Sequence, residues 1–436
     1  MQVMTYPESV FNNVYASFGF VHDWYDLAVL LNVDVKNLAY IKKQNRTVMP
    51  GEPGATQIPI KIKDRITYDS CKSLKYIQNR LMLLLNQLYE EVPYGYVLAY
   101  RKGFNAIEYI SKMMVGHEYT CHFDIRKYYD NIRFWHIRNV LQYYGFTEPG
   151  ASLITQYCTV RRKTKDNHII TSLQQGSPVS PVLSNLVGYL YIDQPVLRWL
   201  KETMESKYPG IKYQYTRYCD NIFVALDGSS REQKQQLFIE YKKAVQAILQ
   251  QASFQSHSWS LVPQNHPKRN QQFLGVVLNS TARIDKWKYY QMRSILFNAC
   301  AKGLSAAANM YWERNELPAL NDVAVRLLGS AEGIKLDKFV QVMRGKVAYL
   351  KSINQKHYCQ TTKLLHAATW LHSSALALPG VIYHEETGLL APELFQHVKT
   401  YLDNTESVKA FDLKLNQLLQ SKEEGEAASE NVANYS

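Results

Sequence analysis

Two carboxylates stand beside apolar runs in this 436-residue chain. Asp124 lies near the end of EYTCHFDI, residues 118–125, and Asp220 sits in RYCDN, residues 217–221, directly ahead of IFVAL. Both runs read as strands. If the strands are neighbours, two half-buried like charges meet, which is tolerable only with a cation between them. Mg²⁺ suits that position, because it takes one or two protein carboxylates and fills its other places with phosphate oxygens and water. A two-metal site of this kind supports in-line phosphoryl displacement by activating the attacking oxygen and stabilising the leaving one. Asn221 keeps a side-chain oxygen but gives up a charge. Taken singly, each Asp is better read as the cap of a turn, so the rest of the chain must decide.

The length leaves room for a large core and two to four domains or subdomains. Hydrophobic residues at 46% and charged ones at 20% describe a globular protein. No apolar run approaches a membrane span, and the start MQVMTYPESV has neither the basic nor the apolar region of a signal peptide. The expectation is a cytoplasmic protein with no membrane partner. Six scattered cysteines, with no CxxC pair, read as reduced thiols. The formal charge of +12 points to a polyanion, and the 32 tyrosines suit base stacking, although core packing accounts for most tyrosines in any fold.

The elements that must position the carboxylates alternate between strand and helix. IPIKIKDRITY alternates as a half-exposed strand with Lys61, Lys63 and Arg65 on one face. A long helix over 71–92 carries Leu74, Ile77, Leu81, Leu84 and Leu88 at helical spacing, and a second covers 104–115. A helix over 133–144 and two further helical segments lead to the turn-rich QQGSPVSP. The next helix runs from Pro181 to about Met204, with Ser180 as N-cap. Then come strands 211–219 and 222–226, helix 231–251, strands 257–262 and 272–278, and an all-helical pattern from 285. The fold class is α+β, with an antiparallel hairpin at its centre. The last sixteen residues, SKEEGEAASENVANYS, are acidic and read as disordered.

Five segments, in order, resemble reverse transcriptase motifs. HFDIRKYYDNI resembles motif A, QQGSPVSPVLSN the QGxxxSPxLxN segment, and YCDN the YxDD box. NHPKRNQQFLGVVLN resembles the lysine-containing motif D with its FLG segment, and MRGKVAYLKSIN the thumb signature of bacterial group II intron, retron and antiviral defence-associated enzymes. The resemblance covers roughly residues 57 to 365 and implies a right-hand polymerase of fingers, palm and thumb, with a mixed helix and antiparallel-sheet palm and a helical thumb. It implies an N-terminal extension over 1–56, part of the fingers over 57–117, and palm with finger insertions over 118–280. A helical thumb over 281–370, a C-terminal helical extension over 371–420 and an acidic tail over 421–436 complete the division.

The roles follow by matching position. Asp124 and Asp220 would hold two Mg²⁺ ions, with Mn²⁺ able to substitute, and the Ile125 carbonyl would be a further oxygen ligand; Asn221 completes the box. Tyr129 falls where the family places the ring that excludes a ribose hydroxyl, although core packing fits it as well as it fits Tyr128. Gln175 and Gly176 would lie beside nucleotide and template, followed by Ser177 and Pro178. Arg65, with Lys61 and Lys63 as candidates, matches the basic finger strand that grips a triphosphate. Lys268 would donate a proton to departing pyrophosphate. Asn105 matches a retron-like NA element. In the thumb, Phe339, Val342, Val347 and Leu350 would face inward while Arg344, Lys346 and Lys351 meet the backbone of an RNA–DNA hybrid.

The implied activity is RNA-directed DNA synthesis from dNTPs on a structured noncoding RNA, in an antiviral system that can include a second protein, with an oligomer possible. The implied primer is an RNA 2′-hydroxyl or a protein hydroxyl such as that of Tyr435. Two other readings stay open: an RNA-binding scaffold whose catalysis lapsed at Asn221, and a template-independent terminal transferase.

Overall fold

The computed structural model describes residues 19–62, 65–164, 166–228, 230–315, 330–377, 382–384, 387–403, 410–413, 416–417 and 420. Lys63 and Tyr435 lie outside them. The chain divides into two compact units, one of residues 1–106 with 116–271 and the other of residues 107–115 with 272–436.

The described part of the N-terminal unit includes helices α1 (Trp24–Leu31) and α2 (Val35–Thr47), then strands β1 (Gln57–Ile62) and β2 (Arg65–Ser70) and helix α3 (Lys72–Glu90). The stretch 57–70 is thus a hairpin rather than one strand. In its register Lys61 opposes Ile66 and Arg65 opposes Ile62. Directly opposed residues share a face, so Lys61 and Arg65 point to opposite faces, not to one. α3 buries Leu74, Ile77, Leu81, Leu85 and Leu88; Leu85 takes the inward place expected for Leu84.

After α4 (Ala106–Met113), which but for its first residue belongs to the C-terminal unit, come β3 (Tyr119–Ile125), the short α5 (Tyr128–Asn131), α6 (Phe134–Tyr143) and α7 (Glu148–Cys158). One helix, not two, follows α6, because the β-branched runs around RRKTKDNHII pair instead as the hairpin β4 (Thr159–Lys163) and β5 (Ile169–Leu173). The next helix begins one residue earlier than expected: Val179 is the N-cap, and Ser180 turns its hydroxyl onto the Gln174 carbonyl at 2.5 Å. It is also broken into α8 (Ser180–Gly188), a π-helical turn over Tyr189–Asp193, and α9 (Gln194–Ser206). Strands β6 (Lys212–Tyr218) and β7 (Asn221–Asp227), helix α10 (Arg231–Gln251) and strand β8 (Ser256–Pro263) complete the unit. α10 matches its expected span, started by a Ser230–Gln233 capping box.

Four of these strands form an antiparallel sheet in the order β6-β7-β3-β8. β3 sends Cys121, Phe123 and Ile125 into the core and keeps His122 and Asp124 on the other face. Trp259 of β8 stacks on Phe123 at 4.0 Å. A buried amide network ties the first hairpin to the rest: Gln174 accepts from Gln57 at 2.7 Å and Gln78 at 3.0 Å, and donates to the Tyr68 carbonyl and the Ser70 hydroxyl.

The C-terminal unit has a small antiparallel sheet of three two-residue strands, 272–273, 276–277 and 283–284, so the expected strand 272–278 is a tight hairpin. Helices Lys286–Lys302, Leu304–Arg314, Ala331–Lys351, Gln355–Ala377 and Pro392–Asp403 follow. Their core holds Leu296, Phe339, Met343, Val347, Leu350, Leu364 and Leu371. Met343 takes the fully buried place expected for Val342, which is only half-buried. Among the described residues no helix is long and apolar enough to cross a membrane.

His136 of α6 is fully buried and serves as a structural hydrogen-bonding group. Its Nδ1 accepts from the Arg133 N–H and its Nε2 donates to the Ala252 carbonyl, both at 2.9 Å, which fixes the neutral ring. Burial pushes its pKa down to about 4 from 6.5. Between those values the native state binds fewer protons than the unfolded chain, so stability is complete above the window and is lost as pH falls through it. The expected loss between pH 7 and pH 5 from this group is about 2 kcal/mol. Denaturant unfolding at the two pH values measures it, and His136→Gln should remove that share of the loss; an unchanged pH dependence in the variant would contradict the assignment.

Candidate active site

The register of the central sheet brings the two carboxylates together. Asp124 lies opposite Asn221 on one side and His257 on the other, and Tyr218 lies opposite Asn221. These four side chains therefore share one face and one end of the sheet. The Ile125 N–H donates to the Asp220 carbonyl at 2.9 Å, which fixes Asp220 beside Asp124. Asn221 donates from Nδ2 to Asp220 Oδ1 at 3.0 Å. A bulge in the β3–β8 pairing, at Ser258 with φ of +56°, sets His257 across from Asp124.

Electrostatics at this end match two like charges held close. Burial raises the Asp124 pKa, the neighbouring Asp220 raises it further, and His122 and His257 pull it back. Burial in turn lowers the His122 pKa. Among the described residues neither carboxylate has a salt-bridge partner. Two half-buried carboxylates without a protein cation form a donor set of the kind that a hard divalent ion completes.

The turn that presents Asp220 is strained and held from below. Cys219 and Asp220 form a two-residue link between β6 and β7, and Cys219 has φ of +57°, a position where such hairpins favour glycine. The side chain of Arg217 holds it there, donating from Nη1 to the Cys219 carbonyl at 2.7 Å. Arg217 is fully buried and lies against Asp193, also fully buried, at 2.8–3.0 Å through Nε and Nη2. The Tyr215 hydroxyl and Asn185 complete the set. Asp193's charge keeps Arg217 ionised, against the cost of burial. Gly188 is required beside it, because a Cβ there would lie 2.5 Å from the guanidinium carbon and from the Tyr128 hydroxyl.

Tyr129 joins this group, with its hydroxyl 3.4 Å from Ser184 Oγ and 3.7 Å from Cys219 Sγ. The other expected site residues are placed differently. Gly176 has φ of +98°, and a Cβ on it would lie 2.8 Å from the Tyr68 carbonyl. The close approach it permits is thus to the first hairpin, which the Gln175 carbonyl holds by accepting from the Tyr68 N–H at 2.7 Å. Ser177 is buried with no partner for its hydroxyl among the described residues, and Pro178 is half-buried. Lys61 and Arg65 are exposed at the far end of that hairpin.

Lys268 is not brought to the carboxylates. Its loop leaves the sheet where Pro263 pairs with Tyr119, five residues along β3 from Asp124 and so about 17 Å away. The loop is tied there by Gln264 to Glu118 and by Gln271 to His117, and Lys268 itself is exposed. Asn105 is exposed immediately ahead of α4. Arg344, Lys346 and Lys351 are exposed on helix Ala331–Lys351 of the C-terminal unit, where Lys346 lies over the Tyr311 ring at 5.4 Å.

Sequence reasoning missed the supports: Asp193, Asn185, Gly188 and the inward role of Arg217. The signal available was an Arg flanking the box and a lone Asp inside an apolar helix, YLYIDQPVL, where burial without a partner would be prohibitive.

No protein-family model and no curated protein matches the chain. Among solved structures it is similar to apo telomerase from Candida tropicalis, with a TM-score of 0.41 and 11% identity over 85% of this chain and 71% of that one. It is also similar to telomerase from Candida albicans in complex with a TWJ fragment of telomeric RNA, with a TM-score of 0.36 and 11% identity over 79% of this chain and 62% of that one. A third is apo telomerase from Candida tropicalis truncated from the C-terminal domain, at 0.35 and 11% over 57% and 59%. The chain spans less than two thirds of the latter two. At these scores the functional reading rests on the chain's own residues.

Removing one partner of the Arg217–Asp193 pair leaves a buried charge uncompensated. Arg217→Met or Asp193→Leu alone should each lower the unfolding free energy by about 3–5 kcal/mol, and the double variant by clearly less than the sum. Chemical denaturation of the four proteins reads the cycle; additive losses would show that the two groups act independently.

Proposed function

We propose that the chain is an RNA-directed DNA polymerase that uses Mg²⁺ and dNTPs. The observation that carries this reading is the register that sets Asp124 and Asp220 side by side without a protein cation, on a turn braced from beneath. Asp124 and Asp220 would hold the metal. Bound there, two Mg²⁺ ions would activate a primer hydroxyl and offset charge on the leaving pyrophosphate. Asn221 orients Asp220 through its amide. Tyr129 packs against the sugar of the incoming nucleotide and excludes a 2′-hydroxyl. The exposed Arg344, Lys346 and Lys351 contact the backbone of a template–product hybrid by charge and shape.

The order of the five motif-like segments supports the reverse transcriptase class, and the thumb-like MRGKVAYLKSIN supports its retron and defence-associated branch. We extend the proposal to a dedicated structured noncoding RNA as template and to an antiviral setting. The charge of +12 fits a polyanionic partner. Asn221 favours a second reading, an RNA-binding scaffold with lapsed catalysis, because an amide attracts a hard cation less than a carboxylate does.

Primer extension separates the two. Asp124→Ala and Asp220→Ala should each abolish incorporation, a loss of at least about 10³-fold. Asn221→Asp should retain activity and lower the Mg²⁺ concentration needed for half-maximal rate. A wild type inactive with Mg²⁺ and Mn²⁺ alike, rescued by Asn221→Asp, would establish the scaffold reading instead.

A further inference from the structure

Helix α2, VKNLAYIKKQNRT, carries four cations, Lys36, Lys42, Lys43 and Arg46, and no acidic residue. Asp34, directly ahead of it, serves as the N-cap and accepts from the Lys36 N–H at 3.0 Å. At about 3.6 residues per turn, Lys36, Tyr40, Lys43 and Thr47 fall in one narrow stripe, opposite the fully buried Leu38 and Ile41. α7 holds the helix in that orientation: the Tyr157 hydroxyl donates to the Leu38 carbonyl at 2.9 Å, and Asn45 donates to the Gln156 carbonyl at 3.2 Å. All four residues of the stripe are exposed, and Tyr40 keeps 55% of its surface open.

Among the described residues none of the four cations has a salt-bridge partner. Lys42 lies over the Trp24 ring at 4.2 Å, and burial together with the charge of Arg46 holds its pKa below the usual lysine value. Like charges three and four residues apart work against a helix, and both Lys43 and Lys42 stand in that relation to Arg46. A face kept only for solubility gains by mixing signs at this spacing; this face does not. Its charge also continues past the helix end. Arg161 of β4 donates from Nη1 to the Arg46 carbonyl, and Lys163, on the same face of that strand, is exposed. Lys36 and Lys43 lie about 10 Å apart along the axis, with the Tyr40 ring between them. Cations on either side of an exposed ring can meet phosphates and a base at once.

We infer that the outer face of α2, continued by Arg161 and Lys163, binds a single-stranded stretch of nucleic acid without reading its sequence. Lys36, Lys43 and Arg46 meet phosphates, and an unpaired base stacks on Tyr40. A duplex keeps its bases inside and offers none to Tyr40, so the strand is unpaired. The surface is separate from the paired carboxylates: α2 packs on α1, α3 and α7, whereas Asp124 and Asp220 stand on the four-stranded sheet. The inference is independent of catalysis, because a scaffold without polymerase activity would use this face in the same way.

The test is fluorescence anisotropy of the full chain with labelled oligo(U) and oligo(dT) of about ten nucleotides, over a range of salt concentrations. One variant joins Lys36→Ala, Lys43→Ala and Arg46→Ala; alanine favours helix, so α2 is retained. A control joins Lys112→Ala, Lys201→Ala and Lys207→Ala, which removes the same charge from lysines that already face carboxylates. The α2 variant should weaken binding at least about tenfold and flatten the slope of log affinity against log salt by about 2, while the control keeps the wild-type slope. Tyr40→Ala should weaken binding about tenfold, and Tyr40→Phe, which keeps the ring, should bind as wild type does. Losses on oligo(U) alone assign the face to RNA and losses on oligo(dT) alone to a DNA strand; either supports the inference. Wild-type affinity in the α2 variant, an equal loss in the control or no effect of Tyr40→Ala overturns it. So does dependence on the α2 cations for binding a blunt RNA duplex or phosphatidylserine vesicles when single strands show none.

Discussion

A fully buried ion pair between Arg217 and Asp193 lies beneath the two carboxylates, and much of the N-terminal unit is arranged around it. Burying two charges is costly unless every polar atom is satisfied. The chain satisfies Arg217 with Asp193, Asn185 and the Cys219 carbonyl, and Asp193 with the Tyr215 hydroxyl as well. The demands of that pair explain a π-helical turn that ends at Asp193, a glycine at 188 and a positive φ at Cys219. A π turn inserts a residue into a helix and is common near functional sites. Here it separates α8, which carries Ser184 and Asn185, from Asp193 and α9.

The same pair gives the carboxylates their rigidity. Asp220 belongs to a two-residue link whose first member is strained, and such a turn would relax if nothing held its carbonyls. Arg217 holds one and the Ile125 N–H the other. The repulsion between Asp124 and Asp220 is thus borne by a turn that its own hydrogen bonds hold in place. Preorganisation of this kind keeps charge where a reaction needs it and avoids reorganisation later. It also accounts for an Asn at 221: the residue donates to Asp220, a bond that a carboxylate could not make.

Much of this was legible in the sequence where period and charge agree. β3, α6 and α10 follow from their apolar patterns, and the two carboxylates stand out at the ends of strands. The hairpin at 57–70 was not legible, because QIPIKI and RITYDS alternate in continuous phase and the reversal falls at only two residues between them. The break in the helix after Ser180 was hidden for another reason. An apolar helix continues through it, and only the buried Asp193 marks the place. Lys268 shows the limit of motif spacing: the segment order suggests proximity, but β8 leads away from the carboxylates along the whole length of the sheet.

The central claim is that Asp124 and Asp220 form one cation-binding centre for nucleotidyl transfer. Anomalous diffraction from crystals of the full chain grown with Mn²⁺ and a non-hydrolysable dNTP tests it most directly. The account predicts peaks at about 2.1–2.2 Å from carboxylate oxygens of both Asp124 and Asp220, bridged by the nucleotide's phosphates. Nucleotide and metal bound elsewhere, with no anomalous density at these two carboxylates, would contradict it.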